Sequence, residues 1–374
     1  MLDMRFEINS QPVCESRVAS QIKQTRDPKI RDSRLTAMLF VLLTVCCMLT
    51  TEYSHAQDLH FSQFYAAPLT LNPAQTGFFD GQYRIGANYR NQWRSLPVPF
   101  NTASVFADFG LLKGKFKSGD WLGVGILLAH DQAGDGELTT TQFMVSAAFH
   151  KSLGTEKVFL SLGVQGGMFQ RDIDFSKFYF DNQWNDIVFD GNVNSGEENS
   201  FQDEAQWHPD LSAGLLLSFV PSKNTIIYTG GTLRHILRPS DSFFGSDNKW
   251  GFRPVVNAGA QIKAGKHISI EPAAVFTMQK KAMETVLGAL LGYSLSNEAK
   301  DKGTIYLGIH GRISDALLFP IGYKISNARL LFSYDVNLSS LKDASQSRGA
   351  FEFSIVYAGG KKPEQSRMMP CPRL

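Results

Sequence analysis

The sequence predicts an all-β protein, a transmembrane antiparallel up-and-down β-barrel of about 14 strands with short periplasmic turns and longer extracellular loops. Three observations carry that prediction. Apolar and polar side chains alternate in segment after segment from Gln82 onward. Most segments are ten residues or longer, about twice the usual strand of a soluble sheet and matched to the roughly 9–11 residues that a tilted strand needs to cross a bilayer. An uncharged apolar stretch with the dimensions of a signal peptide precedes them all.

That stretch is residues 35–50, LTAMLFVLLTVCCMLT, preceded by Arg31 and Arg34. At 16 residues it is short for a membrane-spanning helix and right for a signal-peptide core. Ser54-His55-Ala56 supplies small residues at the two positions a signal peptidase reads, so cleavage is expected after Ala56. The rival, a lipid anchor at Cys46 or Cys47, would want a small residue where Val45 stands. Residues 1–56 are therefore read as a leader, and Gln57 or Asp58 as the mature start. The leader takes seven basic and six acidic side chains with it, leaving 30 against 29. Such balance offers nothing to nucleic acid. Cys371 alone remains of the four cysteines, so no internal disulfide framework can form. No linker interrupts the mature chain. The expected parts are a periplasmic lead-in or plug (57–81), an outer-membrane barrel (82–358) and a periplasmic tail (359–374), with both ends of the mature chain in the periplasm.

The lead-in does not alternate. Its Asn72 can cap a short helical turn, with Pro73 in the first position and Gly77 ending it.

Fourteen alternating segments come next, beginning near residues 82, 100, 120, 137, 156, 207, 224, 252, 267, 282, 303, 315, 328 and 348. In the first, Tyr83, Ile85, Ala87 and Tyr89 alternate with Arg84, Gly86, Asn88 and Arg90; in a later one, Ile305, Leu307 and Ile309 alternate with Tyr306, Gly308 and His310. Successive side chains of a strand point to opposite faces, so each segment has one apolar face and one polar or small face. Leu331 is an exception on the polar face of its segment. Tyr83, Tyr89, Trp121, Phe149, Phe219 and Tyr357 fall near strand ends, where aromatic girdles sit. Tight connections are expected at Ser152–Thr155, Pro221–Lys223, Ala264–Lys266 and Ser326–Ala328, and long ones at 172–206 and 236–251. The segment 110–119 is long for a periplasmic turn.

A lumen enclosed by fourteen strands is too wide for side chains to fill. Two segments could occupy it: the lead-in, or the connection 172–206. The latter sets nine carboxylates against Lys177 alone and interleaves them with Phe175, Phe178, Tyr179, Phe180, Trp184 and Phe189. Asp190, Asn192 and Asn194 have the one-three-five spacing of a calcium loop, but Ser195 stands where Gly is needed and Phe201 replaces the closing Glu. A solvated acidic loop, plugging the lumen or docking a partner, is the better reading.

No enzymatic constellation emerges. The eight histidines are scattered singly, and His310 (polar face of a strand) and His130 (strand end) read as lumen and rim residues. Gly123-Val124-Gly125 lies within a strand, and Gly110–Lys115 has neither Walker spacing nor a following Ser or Thr. No catalytic residue, cofactor or metal site is assigned.

The ordered set FSQFYAAPLTLNPAQTG (61–77), YRIGANYRNQW (83–93), Asp131-Gln132-Ala133-Gly134, Asp210-Leu211-Ser212-Ala213-Gly214, Gly230-Gly231 with His235-Ile236-Leu237-Arg238-Pro239, FSYDVNLSSL (332–341), GAFEFSIVY (349–357) and Cys371-Pro372-Arg373 resembles the PorP/SprF family. These are outer-membrane proteins associated with the type IX secretion system and gliding motility of Bacteroidota. Leu374 departs from the aromatic last residue usual there. The resemblance implies a non-enzymatic barrel that assists export or surface anchoring of particular cargo proteins. Its implied partners are outer-membrane lipid, components of the secretion machinery and a cargo C-terminal sorting domain. The alternative is a passive or fatty-acid-type outer-membrane channel, suggested by barrel size and the Asn-Pro-Ala turn.

Overall fold

A computed structural model describes residues 58–360, apart from 95–98, 117–118, 135, 155–156, 185, 192, 197–204, 240–248, 296–302 and 341. The leader, its cleavage site, Cys371 and the tail beyond 360 lie outside the described residues, as do Asn192 and Phe201.

Fourteen strands form: β1 (Tyr83–Gln92), β2 (Phe100–Leu111), β3 (Trp121–Ala133), β4 (Leu138–Ser152), β5 (Val158–Asp172), β6 (Ala205–Ser222), β7 (Thr225–Arg234), β8 (Arg253–Ala264), β9 (Ile268–Gln279), β10 (Ala282–Ser294), β11 (Thr304–Arg312), β12 (Ala316–Ile325), β13 (Ala328–Asn337) and β14 (Arg348–Gly359). Each begins within two residues of the position the alternation marks. They pair in sequence order and β14 returns to β1, giving a closed barrel. That last seam runs antiparallel and unbroken from Tyr83↔Gly359 to Gln92↔Ala350. Closure leaves no free edge, which a sheet in hydrocarbon requires because lipid cannot replace a missing backbone partner.

The burial is inverted relative to a soluble sheet. In β1 the apolar Ile85 is 47% exposed while Arg90, on the other face, is 1% exposed. The same pattern puts Ile305, Leu307 and Ile309 outside and His310 and Arg312 inside. An apolar outer belt around a buried polar interior is what a bilayer-spanning barrel needs.

Chain direction defines a near end, where β1 starts and β14 finishes, and a far end, where β1 finishes. The two longest connections, 173–204 and 235–252, are at the far end, which also carries short turns at 280–281 and 313–315. The near end holds tight turns at 223–224 and 326–327 together with the longer 112–120 and 295–303.

The lead-in threads the lumen from one end to the other. Asp58 is hydrogen-bonded to Gln279 and paired with Arg253, both at far-end strand termini. Further along, Ala66 O accepts from Asn88 and Leu69 O from Gln165, midway down the wall. Thr76 O then meets His150, Gly77 N–H meets Asp108, and Phe79 O meets Lys113 at the near end. Asp58 and Gly359 therefore lie at opposite ends of the barrel, which corrects the expectation that both ends of the mature chain share one side. The physical reason is that a 25-residue segment with only short helical turns (Phe64–Ala66, α1 at Pro68–Leu71, Pro73–Gln75) is extended enough to span the lumen.

Candidate functional site

The interior is a set of polar contacts between the lead-in and the inward faces of the strands. At the far end Asp58 Oδ2 lies 2.9 Å from Arg253 Nη1, 3.1 Å from His235 Nε2 and 3.4 Å from Arg234 Nη1. His235, just past β7 and at φ +57°, has Asp210 Oδ2 3.0 Å from its other nitrogen. Burial would raise the Asp58 pKa, but Arg234, His235 and Arg253 outweigh it and hold the carboxyl well below its usual range. Burial pulls His235 the other way, yet its two carboxylate neighbours raise its pKa above the ordinary value. His60, 3.9 Å from Glu284, is pushed down to about 4, chiefly by burial.

One turn further in, Ser62 is a hub. Its Oγ accepts from Arg90 Nη1 (2.6 Å) and Arg312 Nη2 (2.7 Å) and donates to Asp335 Oδ2 (2.8 Å). Glu352 accepts the backbone N–H groups of Ser62 and Gln63 at 2.7 and 2.9 Å. Two arginines and two carboxylates are thus buried in one cluster, a costly arrangement unless every group is paired.

The Asn-Pro-Ala turn forms as the sequence predicts: Asn72 Oδ1 accepts from Ala74 N–H at 2.8 Å, Pro73 opens the 3-10 turn, and Gly77 follows at φ +76°. It rests on a floor of wall glycines. A Cβ at Gly123 would strike the Thr76 carbonyl, one at Gly163 the Pro73–Ala74 peptide, and one at Gly214 the Asn72 amide. At Gly123 and Gly163 backbone lies on backbone, and at Gly214 the Asn72 side-chain oxygen takes the space, so no side chain fits. Below the turn, Asp108 takes Gly77 N–H at 2.7 Å and Arg84 through two bonds, and Lys113 donates to Phe79 O and Gly81 O.

Trp121 departs from the expected girdle. It is fully buried, donates Nε1–H to Gly77 O at 3.1 Å and stacks on His150 at 4.3 Å. Trp121 starts its strand on the inward parity, and a lumen occupied at the near end has an apolar wall for it to join. Tyr89, Phe149, Phe219 and Tyr357 do face outward. His310 is buried in the lumen, stacked with Tyr65 at 5.3 Å, and His130 is an exposed rim residue bonded to Thr141. His150 is held on both nitrogens, by Ser161 Oγ at 2.7 Å and Thr76 O at 2.8 Å. The partners of these rings are aromatic rings, hydroxyls and a backbone carbonyl.

Of the two segments able to fill the lumen, the lead-in does so. The described part of 173–196 folds on itself outside, with Trp184 bridged to Phe189 (ring centroids 5.0 Å) and Ile187 81% exposed at its tip. Among the described residues no group of three potential metal ligands occurs. The signal for the plug contacts was present as exceptions to the alternation. Leu331, Phe106, Leu127, Met144 and Val356 are apolar on polar faces, and they cluster with Ala66 and Leu69 of the lead-in.

Fold and interior together define a membrane β-barrel of the outer-membrane type whose lumen is occupied by its own N-terminal segment. Solved structures with a similar fold include the TodX deltaS2S3 mutant monoaromatic hydrocarbon channel (10% identity, TM-score 0.47, covering 78% of this chain and 93% of that one). Others are the CymD monoaromatic hydrocarbon channel (9%, 0.43, 79% and 94%) and the KdgM porin (7%, 0.35, 74% and 98%). Comparison with curated proteins finds no match. The chain belongs to the PorP/SprF family, described as type IX secretion system membrane proteins, which matches residues 53–357. Several stretches that carry the resemblance meet the lead-in directly: His235 beside Asp58, Gly214 beneath Asn72, Asp335 and Glu352 around Ser62.

Proposed function

We propose that this barrel is a non-enzymatic accessory of type IX secretion that assists export or surface anchoring of specific cargo proteins. In this reading it engages a cargo C-terminal sorting domain and components of the machinery, with the near end facing the periplasm. The observation that carries it, beside family membership, is the occupied lumen. A segment bonded to the wall at the far mouth, at mid-height and at the near mouth leaves a barrel suited to act as a scaffold rather than a conduit. Deleting the gene should remove a particular protein from the cell surface while other type IX substrates still arrive; if all substrates appear as before, the proposal fails. The passive or fatty-acid-type channel makes the opposite demand on the purified protein. In planar bilayers the sealed barrel should be silent, and stepwise conductance would favour the channel.

A further inference from the structure

The connection between β5 and β6 is held in shape by its own bonds, yet it turns apolar rings outward. Its base is fixed to the neighbouring far-end turn between β3 and β4. Asp174 N–H donates to Gly136 O at 2.9 Å, and Lys177 pairs with Glu137. A Cβ at Gly136 would strike the Phe178 ring, so the two connections touch. Further out, the buried Gln183 is a clamp. Its Oε1 accepts from Phe180 N–H and its Nε2 donates to Val193 O, both at 3.0 Å. Its carbonyl accepts from Asp190 N–H at 2.8 Å. Asn182 Nδ2 adds a bond to Ser195 O at 2.9 Å.

The rings presented by this frame form one patch. Centroid distances are 5.6 Å from Tyr179 to Phe189 and 5.0 Å from Phe189 to Trp184. The three side chains are 67%, 47% and 47% exposed in the order Tyr179, Phe189, Trp184. Asp186 turns the chain at φ +70°, a left-handed conformation that Asp tolerates better than most residues, and Ile187 follows it at the tip. Exposed apolar residues of the strands meet lipid, but these lie in a connection past the strand ends. A contiguous apolar surface with a polar rim marks a docking site, and aromatic rings are enriched at the centres of such sites. The charge of the connection has one sign. Residues 172–206 hold nine carboxylates and Lys177 as the only cation. Lys177 is already committed to Glu137, with Asp174 3.9 Å away. Asp181 and Asp186 are both exposed within the stretch that carries the rings. Such a surface is repelled by anionic lipid phosphates and by the same surface of a second copy, and it attracts lysine and arginine.

We propose that Tyr179, Trp184, Ile187 and Phe189 form the docking surface for a protein partner whose matching face is an apolar pocket edged by lysine and arginine. The partner's identity rests on the export role: it is the sorting domain of the exported protein, held at the far end of the barrel. Ile187 enters the pocket, the rings exclude water around it, and the carboxylates meet the cationic edge.

The probe is the purified C-terminal domain of the protein that the deletion strain fails to display, titrated onto the purified full chain in detergent. Ile187→Asp should weaken binding by about tenfold or more, as loss of a central anchor does. Asp181→Lys combined with Asp186→Lys should weaken it by a similar factor, and so should raising NaCl from about 50 to about 500 mM. Both variants lie outside the strands and should keep the faster gel migration of the unheated barrel. If either loses it, p-benzoylphenylalanine in place of Val188, which is 54% exposed, decides the matter by cross-linking to the domain. An unmodified barrel that does not bind the domain overturns the export role and this surface with it. Binding that neither variant weakens leaves the export role standing and overturns the surface alone. Indifference to salt overturns the cationic edge. Cross-links from position 188 to lipid or to a second copy of this chain, in place of the domain, overturn the choice of partner.

Discussion

Ser62 is the residue on which the far half of the seal depends. Its hydroxyl satisfies Arg90, Arg312 and Asp335 at once, and none of these has another neutral partner of equal quality. Ser62→Ala should destabilise the barrel by about 2–4 kcal/mol, since bonds to charged groups are each worth roughly 1.5–3 and are not additive. Urea unfolding in detergent measures this, and a loss below about 0.5 kcal/mol would show the cluster to be slack. Acid should loosen the same region. Neutral His60 has a native pKa of about 4 against about 6.5 unfolded, so the unfolded chain binds more protons between those values. Stability therefore falls as pH drops from 6.5 to 4, by up to about 3 kcal/mol before allowing for the quarter of the ring left exposed. Asp58 adds its own loss at lower pH, as its depressed native pKa is crossed. His235 works in the other sense, stabilising at acid pH and losing its contribution as pH rises through its raised value. Unfolding midpoints of His60→Gln against the parent from pH 4 to 8 should show a flatter slope in the variant. None of these pairings could be read from the chain. Ser62 and Asp335 are 273 positions apart, and alternation tells which face a side chain takes without telling what stands opposite.

Among the elements, strands and the Asn-Pro-Ala turn were legible because their causes are local: period two for the one, a capping side chain and a proline for the other. The floor beneath the turn was not. Gly123 reads as part of an unremarkable Gly-Val-Gly, and only the approach of the Thr76 carbonyl explains why a side chain is missing. Gly123→Ala should cost about 1–3 kcal/mol by overpacking and lift the turn from the wall. Gly191→Ala, with nothing near its added carbon, should change stability by less than about 0.5 kcal/mol. Equal midpoints for the two variants would show that the glycine floor does not support the turn. Trp121 eludes the sequence for a related reason. Proximity to a strand end suggests a girdle, but Trp121 shares the inward parity of Gly123 and Gly125, where only an occupied lumen gives an indole partners.

On the scale of the whole molecule, the strands pair with one another all the way round, through the closed β1–β14 seam, without a backbone bond from the lead-in to complete the ring. Removing residues 58–77 should therefore leave a heat-modifiable barrel that now conducts, whereas the parent stays silent. A deletion variant that loses the gel shift would instead make the lead-in part of the fold's core. Asp58 and the residues just after it are encircled by strands that follow them in the sequence. An epitope inserted ahead of Asp58 would be read from the side of the 235–252 connection, and one placed after Gly359 from the opposite side. A single polypeptide would then answer antibodies on both faces of the membrane it is sealed into.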